Sequence, residues 1–515
     1  MTGYCFTVNL LENENRPVAC QGHETLASRV GLLLASGGDE RIKPDQSTGR
    51  NRYGLATFPV EDEIAFSSTT ANPITNKAFL SAQCALSDML AMGGRSRQSA
   101  HEQWFEDIRN RINTLFGGAG TVSVMTPSGT DCEVVALGLV MAWTERPITN
   151  IFLAPEETGK GVPLAAAGRH YQASTPLGAA VEAGQSIEGF CANRLKIRPI
   201  EIRDGEGRAR MACDVNSDAV EIVGQEIADG RDVLLHVLDS SKAGLSGIWR
   251  STAQQLLGKY GNRVKVAVDA CQLRCTFSQI RQDLADGFAV IVTGSKFAGG
   301  PPFCGALLLP NSGWIETPGQ IALPIGLRDY CAIQDWPIQM RAFAGPVLTR
   351  QNNLGLALRW IAALETLEQY ACLDESLPAE ILKRFRSEVV SRASRLSGIE
   401  VLEVSGRASS PAHAIVSLAI AGEGGIPDAE VSARKLQAVL RNPEFGTVCH
   451  VGQPVKIGRK VALRIAPSAR DVVGVAAALS AGADLETAFR PLTADLETMF
   501  AKWEQASRWH VASAA

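Results

Sequence analysis

Three stretches of the sequence carry residues whose types and spacing could do chemistry together. Asp269 closes the apolar run VKVAVDA, and Lys296 follows the next apolar run, FAVIVTG. Runs of this length and composition read as buried strands of a parallel sheet. In such sheets ligands gather beyond the carboxyl ends of the strands. An amine and a carboxylate are therefore delivered to one sheet edge, an arrangement able to cradle a pyridinium ring. The amine attacks a carbonyl and later serves as base, while the carboxylate pairs with the protonated ring nitrogen. Alone, each is bland: a lysine after a strand is commonly solvated, and an aspartate there is a common turn residue. The third stretch, TVSVMTPSGTDCEVVALGLVMAW, reads as strand, then Ser128-Gly129-Thr130, then helix. Exposed N–H groups at a helix start, with two hydroxyls, suit a phosphate. The same residues also suit an ordinary N-cap, with Ser128 or Thr130 capping and Glu133 completing the box. Both can hold together.

Taken in this order, the motifs resemble the fold-type I pyridoxal-phosphate enzymes, most closely the class V aminotransferase and cysteine desulfurase family, over roughly residues 60–495. The resemblance implies that Lys296 holds pyridoxal 5'-phosphate as a Schiff base. It implies that Asp269 pairs with the pyridine nitrogen and that Gln272 contacts the ring hydroxyl. Ser128, Gly129 and Thr130 would bind the phosphate, with Thr293 and Ser295 beside it. Ser241, in HVLDSSKAG, stands where the family usually has an asparagine near the ring hydroxyl. Arg464, in VALRIAPSA, resembles the anchor of the substrate's α-carboxylate, a task suited to a planar two-donor fork. FSSTTANP resembles the early substrate-side loop, from which Asn72 would reach the substrate.

Two places depart from or extend the pattern. Where the family often stacks a histidine on the ring, APEETGKGVP offers Glu157 or Thr158 and no aromatic ring. Cys449, in GTVCHVGQP, precedes Arg464 at a distance similar to that of the persulfide cysteine of some desulfurases, and His450 adjoins it. The implied function is pyridoxal-phosphate-dependent chemistry on an α-amino acid, through an external aldimine and a Cα carbanion. A specialised biosynthetic reaction of aminotransferase or lyase type is expected, carbon–carbon bond formation included. The alternatives are a cysteine desulfurase or C–S lyase using Cys449, and a non-catalytic ligand-binding subunit. Partners would be an amino acid, a second small molecule and, by resemblance, a second copy in a homodimer.

The elements that must position these residues are legible in outline. Seven short apolar runs (TVSVMTP, NIFLAPE, KIRPIEI, DVLLHVLD, VKVAVDA, FAVIVTG and GALLLP) alternate with helical stretches. That pattern predicts an α/β domain over residues 61–345 with a mostly parallel seven-stranded sheet, as in aminotransferase fold type I. A smaller α+β domain is expected over 346–515, and residues 1–60 read as an N-terminal extension with one helix in HETLASRVGLLLAS. The chain of 515 residues has a net charge of −4, with basic residues dispersed, which argues against a nucleic-acid partner. No apolar run approaches membrane-spanning length. The N-terminus lacks a secretory pattern, and twelve cysteines without a CxxC pair read as free thiols with no metal, so a cytoplasmic location is expected.

Overall fold

A computed structural model describes residues 25–91, 97–118, 120–311, 313–314, 321–348, 352–402, 414–420 and 426–512. A short strand, β1 (Ile64–Phe66), precedes seven strands that coincide with the seven apolar runs. They are β2 (Val122–Thr126), β3 (Ile148–Leu153), β4 (Leu195–Ile200), β5 (Asp232–Leu238), β6 (Val264–Asp269), β7 (Ala289–Thr293) and β8 (Gly305–Leu309). Together they form one sheet in the order β2-β8-β7-β6-β5-β3-β4. Only β8 runs against its neighbours; β7, β6, β5, β3 and β4 are mutually parallel. The central strands are buried on both faces, as their unbroken apolar runs require. At the edge, β4 is half exposed and carries Lys196, Arg198 and Pro199, residues that discourage further pairing.

The helix Gly129–Trp143 is apolar around its whole circumference beyond Glu133 and lies buried along nearly its full length. The equally buried helix Leu354–Ala371 shares its core with β7 and β8. The N-terminal helix Leu26–Leu34, capped by Thr25, docks against this second helix. Arg359, fully buried, donates to the carbonyls of Leu34, Ser36 and Gly37, at 3.1, 2.5 and 3.0 Å. The contact is so close that a Cβ at Gly355 would stand 2.3 Å from the Leu33 carbonyl oxygen.

The second sheet is built from β9 (Ile399–Leu402), β10 (Val416–Ile420), β11 (Cys449–Ile457) and β12 (Lys460–Ile465), with β1 added at one edge. β1 pairs with β11 in parallel, Ile64 facing Cys449, although it lies in the 61–345 segment. The two lobes are thus laced through one ladder. The sequence pattern had suggested neither β1 nor β11. β1 has only three residues, and β11 contains Pro454, which sits where the register with β12 slips between Gly452 and Val455. A bulge is where a sheet tolerates proline. The helices Ala212–Ala228, Phe277–Ala285 and Leu485–Ala512 were also unread in the sequence.

Candidate functional site

A cavity of about 920 Å³ opens at the carboxyl ends of β5, β6 and β7. Ser128, Gly129, Thr130, Glu157, Thr158, Asp269, Gln272, Thr293, Ser295, Lys296 and Arg464 all line it. Three of the residues expected there, Ser241, Asn72 and Cys449, do not.

Register explains the convergence. Asp269 ends β6 opposite Ile291 of β7, so the chain leaves the sheet two residues later at Thr293 and reaches Lys296 on the same edge. The Asp269 carboxylate accepts from the Cys271 amide at 3.0 Å, and the Thr293 hydroxyl donates to the Cys271 carbonyl at 2.9 Å. The turn carrying Lys296 presses onto the helix Leu354–Ala371. A Cβ at Gly294 or Gly300 would stand 2.7 or 2.6 Å from the Ala363 methyl. Asn72 donates to the Lys296 carbonyl at 2.5 Å, so it holds the lysine's backbone from behind instead of facing the cavity.

At the anion turn, Ser128 is the N-cap. Its Oγ accepts from the Asp131 amide and donates to the Asp131 carboxylate at 2.6 Å. Glu133 does not complete a capping box; it meets His236 at 3.1 Å and accepts from Asn150 at 2.7 Å. The amides of Gly129 and Thr130, ahead of Asp131, have no intrahelical acceptor and remain for a ligand. Gly129 carries no side chain because Cys271 fills the place: a Cβ there would meet Cys271 Sγ at 2.3 Å.

Arg464 is fully buried, with Nη2 donating to the Gln453 carbonyl at 2.5 Å and Nε and Nη1 without acceptors. Burial pushes its guanidinium down to about 10, against the pull of Glu157. Buried donors are seldom left unmatched, so these N–H groups mark a place for an anionic oxygen. Gln272 donates to the Thr69 carbonyl at 3.3 Å and keeps a buried, unpartnered Oε1. Glu157 is already neutralised by Arg203 and by the Ser241 hydroxyl at 2.6 Å. Ser241 also accepts from the amides of Ala243 and Leu245, which consumes it structurally. Cys449 lies at the start of β11 within the small sheet, its thiol directed at the Thr447 carbonyl at 3.4 Å. Burial pushes that thiol up to about 11, opposed by Lys502, so it is neither at the cavity nor poised as a thiolate.

Sequence reasoning passed over several lining residues. Lys242, beside Ser241 in the same motif, donates its Nζ to the Thr158 carbonyl. Burial, then the fields of Arg464, Lys296, Lys160 and Arg41, hold its amine well below the ordinary lysine range. A lysine directly after a buried strand and two serines was the available signal. Burial favours neutral His236, yet the Glu133 carboxylate wins and holds its imidazole above the ordinary range. Arg41, Arg52 and Tyr53 of the N-terminal segment also line the cavity, with Arg41 stacked 5.2 Å over the Phe303 ring.

The architecture can be set beside known structures. The cysteine desulfurase CsdA of Escherichia coli, in an S-sulfonic acid form, superposes with a TM-score of 0.52 and 11% identity, covering 87% of this chain and 96% of its own. A NifS-like protein gives 0.52 and 11%, covering 87% and 100%. Mouse CSAD gives 0.52 and 13%, covering 86% and 83%. The chain shares their fold. No family model and no curated protein sequence matches it. Among the described residues, no helix is long and apolar enough to cross a membrane, and no cluster of side chains suits a metal ion.

Proposed function

We propose that the protein binds pyridoxal 5'-phosphate through Lys296 and acts on an α-amino acid. The observation that carries this reading is the meeting of Lys296, Asp269, the Gly129 turn and the unpartnered guanidinium of Arg464 in one cavity. The residues fit the cofactor. Gln272 brings a buried, unpartnered Oε1 to the cavity, and the amides of Gly129 and Thr130 at the helix start supply donors for a phosphate. Bound there, the cofactor would supply an electron-withdrawing ring that stabilises negative charge beside the substrate's amine. Asp269 keeps the ring nitrogen protonated, Arg464 holds the substrate's carboxylate, and Lys296 moves the proton at the substrate's Cα. Lys242 places a second amine in the cavity as an acid or base.

The reaction belongs, in this reading, to an aminotransferase- or lyase-type enzyme of biosynthesis, carbon–carbon bond formation included, carried out in the cytoplasm by a homodimer. A desulfurase working through Cys449 is not part of it, because that thiol lies outside the cavity. Borohydride reduction of protein reconstituted with pyridoxal 5'-phosphate, followed by peptide mass analysis, tests the core of the proposal. The cofactor mass is expected on the Lys296 peptide, with no visible band in Lys296→Ala. Labelling elsewhere, or an unchanged band in that variant, would sink the enzyme reading and its non-catalytic variant alike. Loss of the band on adding amino acids, with product formed, separates turnover from mere binding. Light scattering tests the dimer.

A further inference from the structure

The cavity extends well past Lys296, and its outer part is charged in a way the proposed chemistry does not use. Arg441, the last residue of the helix Ile426–Arg441, lines it. Its Nε is buried and has no acceptor. The carboxylate that pairs with the nearby Arg50 is itself committed: Glu63 is bonded to Arg50 at 2.5 Å and to His450 at 3.0 Å. Gly54, at a φ of +77°, brings the N-terminal loop against the Arg441 side chain, where a Cβ would stand 3.1 Å from its Cδ. The guanidinium is therefore held in place without a counter-ion, and burial, then the nearby Arg50, pushes it down to about 10.

Other charges of the outer cavity do not cancel it. Arg434 is spent on Glu430 at 2.5 Å, and Arg41 on Asp39 at 2.6 Å. Arg52, Lys160 and Lys456 line the cavity without an ion pair among the described residues, with Glu156 the remaining carboxylate of this part. Uncompensated cations in a concave, partly desolvated space focus a positive potential and select anions. Arg464, fully buried, and Arg441, half-buried with a buried Nε, thus each keep a donor without an acceptor in one cavity, in different surroundings: the first beside Glu157 and Lys242, the second beside Arg50 and the Gly54 loop.

We infer that the outer cavity is a second anion site centred on Arg441, and that the substrate is an amino acid with an acidic group on its side chain. This deepens the reading of Lys296 and Arg464 given above. In it, Arg464 takes the α-carboxylate and Arg441 the distal carboxylate or phosphate, with Arg52, Lys160 and Lys456 drawing the anion in.

Calorimetry on the cofactor-loaded protein with amine-free acids tests the site independently of any reaction. Succinate, glutarate and adipate are compared with the monocarboxylates of equal chain length. The best-matched diacid is expected to bind about tenfold more tightly than its monoacid, as one additional charged contact implies. In Arg441→Gln this ratio should fall to within about twofold, and Arg441→Lys should keep part of it. A ratio near one in the wild type overturns the inference, whatever the variants do. So does a ratio left intact in a folded Arg441→Gln, with near-UV circular dichroism reporting folding. Should that variant not fold, an unchanged ratio in Arg441→Lys overturns it and a reduced one supports it. These results leave the borohydride test of Lys296 untouched, so the two readings fail separately. O-phosphoserine against glutamate, titrated on the visible band, then tells phosphate from carboxylate as the distal group.

Discussion

Asp131 sits in the first turn of the helix that begins at the anion turn, fully buried, with its carboxylate accepting from Ser128 and Tyr171. Burial outweighs those bonds and pushes it up to about 6 from 3.8. The folded state therefore holds this proton where the unfolded chain has lost it, and stability falls as pH rises between these two values. The whole window is worth ~3 kcal/mol. Asp131→Asn should abolish this component, so its melting temperature is expected to gain on the wild type between pH 4 and pH 7. Lys242 makes a second residue-scale prediction. Its depressed amine should contribute an ionisation below the ordinary lysine range to the pH profile of kcat/KM. That limb should disappear in Lys242→Gln while borohydride still labels Lys296. An unaltered profile would remove Lys242 from the chemistry.

Between elements, the decisive contact is the start of the helix Gly129–Trp143 against the segment following β6. Gly129 has no side chain because Cys271 Sγ occupies the place where one would be. Gly129→Ala is expected to cost about 1–3 kcal/mol through overpacking and to weaken cofactor binding. Cys271→Ala should restore much of both in the double variant, since it removes the colliding sulfur. A double-mutant cycle with urea midpoints and cofactor affinity reads this coupling; additive losses would show that the two segments do not meet as described. A similar argument applies to Gly355, where a methyl group would push the Leu33 carbonyl away. Gly355→Ala is expected to expose residues 26–53 to limited proteolysis before the rest of the chain.

Across the whole molecule, β1 joins a segment from the first half of the chain to the second sheet. Ser68 donates to the carbonyls of Ala466 and Pro467, and Arg274 of the large lobe donates to Ser68 at 2.7 Å. These bonds and the β1–β11 ladder tie the two lobes together. Hydrogen exchange should therefore report the same opening free energy for the β1–β11 and β6–β7 ladders. Separate values would mean that the lobes unfold as independent units, and the cavity between them would then be a mobile one.

Local pattern by itself determined the large sheet, because strands buried on both faces must be apolar without interruption and so stand out from their flanks. It also placed Asp269, Lys296 and the Gly129 turn on one edge, since parallel strands deliver their following residues to the same side. The tertiary structure decided what lies far apart in sequence. It withdrew Asn72 behind the lysine, spent Ser241 on Glu157 and enclosed Cys449 in a sheet whose partner strand has three residues. It alone brought Arg441 and the N-terminal Arg41, Arg52 and Tyr53 to the cavity. Their approach depends on packing between segments hundreds of residues apart, and no periodicity or spacing along one segment encodes such a contact.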